Sequence, residues 1–215
     1  HVMGVTQAAG LSLKWLRDTL CHEEVELAEQ EQTDPYVIMD ELAKQVPIGA
    51  NKLIYLPYLM GERTPHLDTN ARGVFFGLSA VHTKANFIRA VMEGVSYSLR
   101  DCKEVLNEME IAANDMMICG GGAKSPLWRQ MLADIYGVDV ISPASSEGAA
   151  LGVAILAMVG NGEYESVQQA CKAIIQKEKV TATNQEAHDT YEKFYRIYQS
   201  LYPALKQSYQ QLNSL

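Results

Sequence analysis

The feature that most constrains this chain is an apolar segment that ends in three consecutive glycines and leads straight into a helix start. Its sequence reads Ile118-Cys119-Gly120-Gly121-Gly122-Ala123-Lys124-Ser125-Pro126. The apolar residues before the glycines predict a strand, whereas Ser125 and Pro126 are typical of a helix N-terminus and predict a helix to about Tyr136. A strand joined to a helix by a tight turn indicates an α/β domain, in which helices pack against a sheet.

The remainder of the chain also alternates between strand and helix patterns. From Lys84 to Met109 apolar residues recur every three or four positions, which predicts a long helix with one buried stripe. Further helices are predicted over about 6–20, 35–45, 126–136, 147–158, 166–175 and from 185 onward, and strands over about 52–59, 74–78, 116–119 and 138–141. These patterns predict one domain over residues 1–215, with helices packed on a mixed sheet.

Three local features refine this outline. Ser145 and Ser146 are interpreted as the cap of the alanine-rich helix that ends near Met158. The acidic segment between the first two predicted helices is interpreted as a solvated connection. Pro203 is interpreted as a kink or a restart within the last helix.

Composition and charge narrow the classes of partner. The 215 residues are 47% hydrophobic and 20% charged, which is ordinary for a globular protein, and they carry a net charge of -8. Because this balance is acidic and the Lys and Arg residues are dispersed, a nucleic-acid partner is not expected. The longest apolar helical stretch, 148–160, is too short to span a bilayer, so no membrane association is expected either.

Two further features concern where the protein works and where the chain begins. The four cysteines stand far apart and are interpreted as reduced thiols packed in the interior, which predicts a cytoplasmic protein. The chain opens on His1 rather than Met and enters a helical pattern at once, so it is interpreted as a fragment of a longer protein.

The glycine turn has two interpretations. Without Cβ atoms the backbone can take positive φ and let a ligand approach, and the free N–H groups of a helix start favour an anion, so the turn is typical of a phosphate or ribose site. The alternative is a tight strand-to-helix turn that needs glycine for its geometry alone. Neither the Walker spacing nor the full dinucleotide fingerprint is present, and a dinucleotide-binding domain would have its turn near the first strand.

A second pattern favours the binding interpretation. Gly73-Val74-Phe75-Phe76-Gly77-Leu78 is followed, after seven residues, by Asn86-Phe87-Ile88-Arg89-Ala90-Val91-Met92-Glu93. This arrangement resembles the C-terminal signature of the FGGY family of carbohydrate kinases. Segments 56–66 and 128–135 are more similar to the xylulose kinases of that family than to its glycerol kinases, and the resemblance extends over nearly the whole chain.

The resemblance implies the C-terminal lobe of an actin-like, ribonuclease-H-like fold, with a mixed sheet flanked by helices. In this family ATP, bound with Mg²⁺, lies in the cleft between two lobes, and the sugar lies mainly against the N-terminal lobe. The Asp-x-Gly-Thr motif, the catalytic Asp and a Gly-Thr-Ser phosphate loop would all precede His1, and none occurs in this chain. We therefore assign the chain no catalytic residue and no metal ligand, and expect it to be inactive without its N-terminal lobe.

The resemblance also implies which residues contact the nucleotide. Gly121, Gly122 and Ala123 match the family's adenosine-binding segment. Gly10 and Lys14 stand at contacting positions of the first helix. Where glycerol kinases have a glutamine this chain has Lys14, which would either meet a phosphate or point to water.

Several other residues have an ordinary structural interpretation beside a functional one. Arg63 and His66 could reach the cleft, but an Arg that ties its loop to the same lobe through a carboxylate is favoured. Glu93 could orient Mg²⁺ or water, yet Arg89 four residues earlier favours an ordinary surface or interface ion pair. Trp128 is predicted to be a core residue, although it could also border the adenine.

For the whole protein the resemblance implies transfer of the γ-phosphoryl group of ATP to D-xylulose, giving D-xylulose 5-phosphate. Gluconate, L-ribulose and glycerol stay open as substrates, because most sugar-contacting residues would lie in the other lobe. The partners would be ATP, a small sugar and the N-terminal lobe, and association as a homodimer is left open. A function of another class, a non-catalytic nucleotide-responsive module of actin-like descent, also stays open.

Overall fold

A computed structural model of the chain describes residues 2–111, 116–144, 148–175 and 177–215. The described helices are α1 (Ala9–Leu20), α2 (His22–Glu31), α3 (Pro35–Lys44), α4 (Lys84–Glu108), α5 (Pro126–Tyr136), α6 (Gly148–Gly160), α7 (Val167–Ile174) and α8 (Gln185–Asn213). The described strands are β1 (Ile54–Leu56), β2 (Val74–Phe76), β3 (Met116–Met117), β4 (Val140–Pro143) and β5 (Lys177–Thr181). Helices and strands alternate as the sequence predicts, so the α/β class is confirmed.

The strands form two separate sheets within the described part of the chain. β1 and β2 pair antiparallel, with Tyr55 opposite Phe75. β3 pairs with β4 in parallel, and β4 pairs antiparallel with β5, which gives the mixed sheet that the sequence predicts. The sequence patterns do not predict β5, which is held by its pairing with β4, where Ile141 lies opposite Val180.

Helix α4 lies at the centre of the core. It contacts β1, α1, α3, α5 and α8, and residues around its whole circumference are buried. Its close approach to β1 requires a glycine, because a Cβ at Gly94 would lie 2.2 Å from the carbonyl oxygen of Tyr55. The predicted long helix is thus confirmed, but it buries far more than one stripe.

A buried ion pair joins α4 to its neighbours. Arg89 Nε lies 2.8 Å from Glu93 Oε1, and both side chains are nearly inaccessible. The same carboxylate accepts hydrogen bonds from the Gly49 backbone N–H at 3.1 Å and from the Tyr191 hydroxyl at 3.4 Å. The guanidinium donates to the Tyr191 hydroxyl and to the Ala43 carbonyl oxygen. These contacts tie α3, α8 and the segment before β1 to α4.

The predicted pairing of Arg89 with Glu93 is therefore confirmed, whereas its predicted position at a surface or interface is wrong. The pair is buried because α3 and α8 both pack against α4. Burial raises the pKa of Glu93 to about 7, although the Arg89 guanidinium and the hydrogen bonds favour the ionised carboxylate.

Some of the other predicted helix boundaries differ from those in the structure. The acidic segment forms α2 rather than a solvated connection, because its Glu, Ala and Leu residues favour a helix that contacts α3 and buries Glu24 and Ala28. α8 continues through Pro203, which excludes a restart there, whereas a kink at Pro203 stays a prediction. The predictions for His1 and for the cap at 145–146 lie outside the described residues.

The state of the cysteines and the length of the apolar helices test two further predictions. All four cysteines are free thiols, as predicted. Cys21 and Cys102 are buried, but Cys119 is exposed and Cys171 half-buried, so the predicted packing of all four in the interior is wrong. Among the described helices, none combines the length and the apolar character needed to cross a membrane.

Substitution of Glu93 and substitution of Arg89 should lower the stability of the fold by different amounts. Glu93→Gln leaves a buried guanidinium that cannot lose its charge, so it should lower the free energy of unfolding by about 3–5 kcal/mol. Arg89→Met leaves a buried carboxyl that can take up a proton, so its cost should be smaller at low pH. Urea unfolding at about pH 5 and about pH 8 measures both.

The pH dependence of the Arg89→Met variant follows from the sign of the shift. Burial already raises the pKa of Glu93 in the folded chain, and loss of the Arg89 guanidinium, which lowers it, raises that pKa further in the variant. The favourable contribution of the protonated carboxyl is therefore complete at low pH and is lost as the pH rises. As a control, Glu41→Gln removes an exposed carboxylate beside Lys44 and should cost less than about 0.5 kcal/mol. A Glu93→Gln effect no larger than that of the control would contradict the role of the buried pair.

Candidate functional site

The glycine turn joins β3 to α5. Gly120 has a φ of 86°, and Gly121–Lys124 then forms a single turn of 3-10 helix. Ser125 caps α5, since its side-chain oxygen accepts a hydrogen bond from the backbone N–H of Trp128 at 2.9 Å. The predicted cap is confirmed, and the need for positive φ falls on Gly120 rather than on Gly121 or Gly122.

A cavity of about 390 Å³ lies against this turn. Its wall includes Gly10 of α1 together with Gly121 and Gly122, so the structure brings together three of the five residues predicted to contact a nucleotide. Most of the remaining wall is apolar and comes from α4, α5 and β3: Val95, Leu99, Met116, Met117, Trp128, Leu132 and Tyr136. This combination of a flexible backbone edge and an apolar, aromatic wall is typical of a small-molecule site.

The three glycines that line this cavity differ in whether the surrounding protein leaves room for a side chain. A Cβ at Gly10 or at Gly121 would meet no other atom within 4 Å, so nothing in the described protein requires glycine there. A Cβ at Gly122 would lie 3.2 Å from Cε3 of Trp128, so close packing against the indole accounts for that glycine. Gly10 and Gly121 are therefore the two of these glycines whose Cβ positions are open.

The Trp128 indole is fixed beneath the turn. Its Nε1 donates to Ser96 Oγ at 3.0 Å, and that hydroxyl donates to the Met92 carbonyl oxygen at 2.8 Å. The side chain is 7% exposed and belongs to the core, as predicted, yet it also borders the cavity. Its hydrogen bond to Ser96 links the floor of the cavity to α4.

A second cavity, of about 320 Å³, adjoins the same turn. Gly120 and Ala123 contribute to its wall. Ala123 therefore lines a different cavity from the three glycines that were predicted to contact the nucleotide. Arg129, from the first turn of α5, also lines it and donates through Nη1 to the carbonyl oxygen of Ala123 at 2.5 Å. The two cavities share Ile118 and Cys119, so the turn stands between them.

The remaining candidate residues lie elsewhere. Lys14 is exposed, forms an ion pair with Asp18 and lines neither cavity. Arg63 is exposed and makes no ion pair within the described chain, so the predicted tie through a carboxylate is wrong. His66 stacks on Tyr202 at a centroid distance of 3.6 Å, and burial lowers the pKa of His66 to about 4, which keeps its ring neutral near pH 7.

Glu62, rather than Arg63, ties this loop to the rest of the lobe. Its carboxylate accepts hydrogen bonds from the backbone N–H groups of Gln7 and Arg63 and from the Ser98 hydroxyl. The loop is therefore tied to α4 and to the segment before α1 by an acid, because a buried carboxylate can accept several backbone donors at once.

Sequence reasoning missed Ser142 and Arg129, which line the second cavity. Arg129 stands four residues after the helix cap at Ser125, where a cation facing the turn could have been suspected. Ser142 gave no local signal, because its position depends on the pairing of β4 with β5. Within the described residues no cluster of three or more His, Cys, Asp or Glu side chains is suited to hold a metal ion.

The architecture is that of the C-terminal lobe of an actin-like ATPase fold, as predicted. The crystal structure of xylulose kinase from Rhodospirillum rubrum superimposes with a TM-score of 0.82 at 29% identity, over 96% of this chain and 40% of that one. Residues 1–160 match the family model described as the FGGY family of carbohydrate kinases, C-terminal domain. The chain therefore belongs to the FGGY family of carbohydrate kinases.

Curated relatives carry two different names within this family. A xylulose kinase of Staphylococcus epidermidis is 41% identical over 207 residues, which is 96% of this chain and 40% of the relative. A gluconokinase of Bacillus licheniformis is 35% identical over 210 residues, which is 97% of this chain and 41% of the relative. The chain thus spans about two fifths of the length of these relatives.

Gly10 offers a direct test of whether a nucleotide occupies the first cavity. Gly10→Leu should leave the ligand-free chain at least as stable, because Leu is a better helix former than Gly by roughly 0.5–1 kcal/mol and the added Cβ meets no atom within 4 Å. The Leu side chain should nevertheless fill space that a nucleotide needs. Thermal unfolding with and without Mg-ATP should show a reduced ligand-dependent increase in the midpoint.

Gly152→Leu is the matched control, since Gly152 is also helical and also has no atom within 4 Å of its Cβ position. It lines neither cavity and should keep the full nucleotide-dependent increase. Equal increases in both variants would contradict a nucleotide site beside Gly10.

Proposed function

We propose that this chain forms the nucleotide-binding half of an ATP-dependent kinase that phosphorylates D-xylulose to D-xylulose 5-phosphate. The observation that carries the proposal is the meeting of Gly10 with Gly121 and Gly122 on one cavity, although more than a hundred residues separate them in sequence. These are the positions for which the family resemblance implies nucleotide contacts.

The first cavity fits the adenosine part of ATP. Its aromatic and aliphatic wall, which includes Trp128, Val95 and Leu99, suits a flat base, while Gly10 and Gly121 leave room for the ribose. Gly121, Gly122 and Ala123 would run along the nucleotide, and Lys14 would reach a phosphate only by leaving Asp18. When bound with Mg²⁺, ATP supplies the transferred phosphoryl group, and this chain contributes binding and orientation.

An apolar face of α6 that is exposed in the described part of the chain supports a role for an N-terminal lobe. α6 is almost wholly apolar, but Ile155 is its one buried residue, and Val153 and Leu156 are 68% and 60% exposed. Apolar surfaces of this kind mark places where other protein parts pack. We propose that an N-terminal lobe covers this face and brings the carboxylate that takes the proton from the sugar hydroxyl.

D-xylulose is the favoured substrate because the S. epidermidis relative is named a xylulose kinase and is 41% identical. Gluconate is the alternative supported by the gluconokinase of B. licheniformis at 35% identity. L-ribulose and glycerol stay further alternatives, as does a non-catalytic, nucleotide-responsive module. Free cysteines favour a cytoplasmic location.

The chain alone should bind Mg-ATP but release no ADP in the presence of D-xylulose, because it lacks the catalytic carboxylate. A coupled ADP-release assay on the purified 215-residue chain measures this. Sugar-dependent turnover well above the enzyme-free blank would show that the catalytic base lies in this chain after all.

Together with the coding sequence that precedes it in its own gene, the chain should prefer D-xylulose. Specificity is a ratio of kcat/KM values between competing substrates, so D-xylulose, gluconate, L-ribulose and glycerol should be compared in one panel. A higher kcat/KM for any of the other three would refute the substrate assignment. ATP binding with no turnover on any sugar would favour the non-catalytic module.

A further inference from the structure

The second cavity differs from the first because its wall includes cationic side chains beside apolar ones. Lys124 and Arg129 both contribute to its wall, and no described lining residue carries a carboxylate. Its volume of about 320 Å³ is at the small end of the range for ligand sites. The charge of the wall therefore favours a small anion.

Two buried polar atoms on this wall have no partner. Ser142 is 7% exposed, and its hydroxyl forms no hydrogen bond within the described residues. The same holds for Nε of Arg129, although Nη1 of that guanidinium is bonded to the carbonyl oxygen of Ala123. Buried polar groups without partners are rare because each loses its bonds to water. Their presence at one cavity indicates a bound polar group.

The cations are held in position by the turn. The bond to Ala123 fixes the guanidinium of Arg129 against the backbone, so little side-chain freedom is left to lose when an anion binds. Lys124 ends the 3-10 turn, and its ammonium forms no ion pair within the described chain. A guanidinium, an ammonium and a hydroxyl are groups with which proteins commonly bind phosphoryl oxygens.

We propose that this second cavity is a phosphoryl-binding site, in which Ser142, Arg129 and Lys124 recognise the anion. The phosphoryl group has two sources: a phosphate of the nucleotide held at the glycine turn, or a free phosphate compound. The first source rests on the proposed function, whereas the site itself does not. It lies across the turn from the cavity proposed for adenosine. Ala123 of the turn lines it, but the family resemblance assigns no role to Ser142, Arg129 or Lys124.

Binding of pyrophosphate, ADP and adenosine to the chain, measured by titration calorimetry, tests the proposal. Ser142→Ala and Lys124→Gln should each weaken pyrophosphate by about tenfold, the effect of losing one hydrogen bond to a charged group. Ser142→Ala removes a hydroxyl that has no partner in the described protein, so the ligand-free unfolding midpoint should not fall. Ser200→Ala and Lys193→Gln are matched controls on the exposed side of α8 and should bind as the original chain does.

The three probes separate the sources. If the variants weaken ADP and pyrophosphate but not adenosine, the site takes a phosphate of the nucleotide. If they weaken pyrophosphate alone, the site takes a free phosphate compound. Pyrophosphate binding that is undetectable, or equal in variants and controls, overturns the proposal whatever ADP does. Retained pyrophosphate binding with no binding of ADP or adenosine would refute the proposed nucleotide function but would still support this phosphoryl-binding site.

Discussion

The ion pair between Arg89 and Glu93 is the interaction on which the rest of the structure depends. It fixes α4 to α3, α8 and the segment before β1, in a place where both side chains are nearly inaccessible to water. Such a pair need not add net stability, but it penalises any packing in which a partner is lost. One turn further along, Ser96 of the same helix holds the Trp128 indole. The floor beneath the glycine turn is therefore set by the helix that the ion pair secures.

The glycine turn acts as a partition between two cavities of different character. The first is mainly apolar and is reached by glycines at which a side chain would meet open space. The second has Lys124 and Arg129 on its wall and contains buried polar atoms that lack a partner among the described residues. A nucleotide has an aromatic part and an anionic part, and the two proposed sites match these two kinds of chemistry on either side of one backbone segment.

The sequence predicts those features that depend on local chemistry. The period of α4 and the Ser125 cap with its proline can be recognised in the printed residues, and the structure confirms both. The burial of Glu93 cannot be recognised, because it depends on Tyr191, which lies 98 residues away. β5 and the cavity beside Ser142 are equally non-local, since both arise from strand pairing. The sequence patterns do not predict α2, because the acidic composition of this segment is also typical of a solvated connection, although its residues are good helix formers. At Gly122 the glycine fits the packing against Trp128, which sequence alone could not separate from a ligand contact.

We propose that a nucleotide binds between the start of α1 and the glycine turn. Hydrogen–deuterium exchange of the chain, with and without saturating Mg-ADP, tests it most directly, because it reports protection of individual backbone segments. Bound nucleotide should slow exchange in segments 8–14 and 118–125 and leave α2 and α3 unchanged. Protection elsewhere with both of these segments unchanged would contradict it.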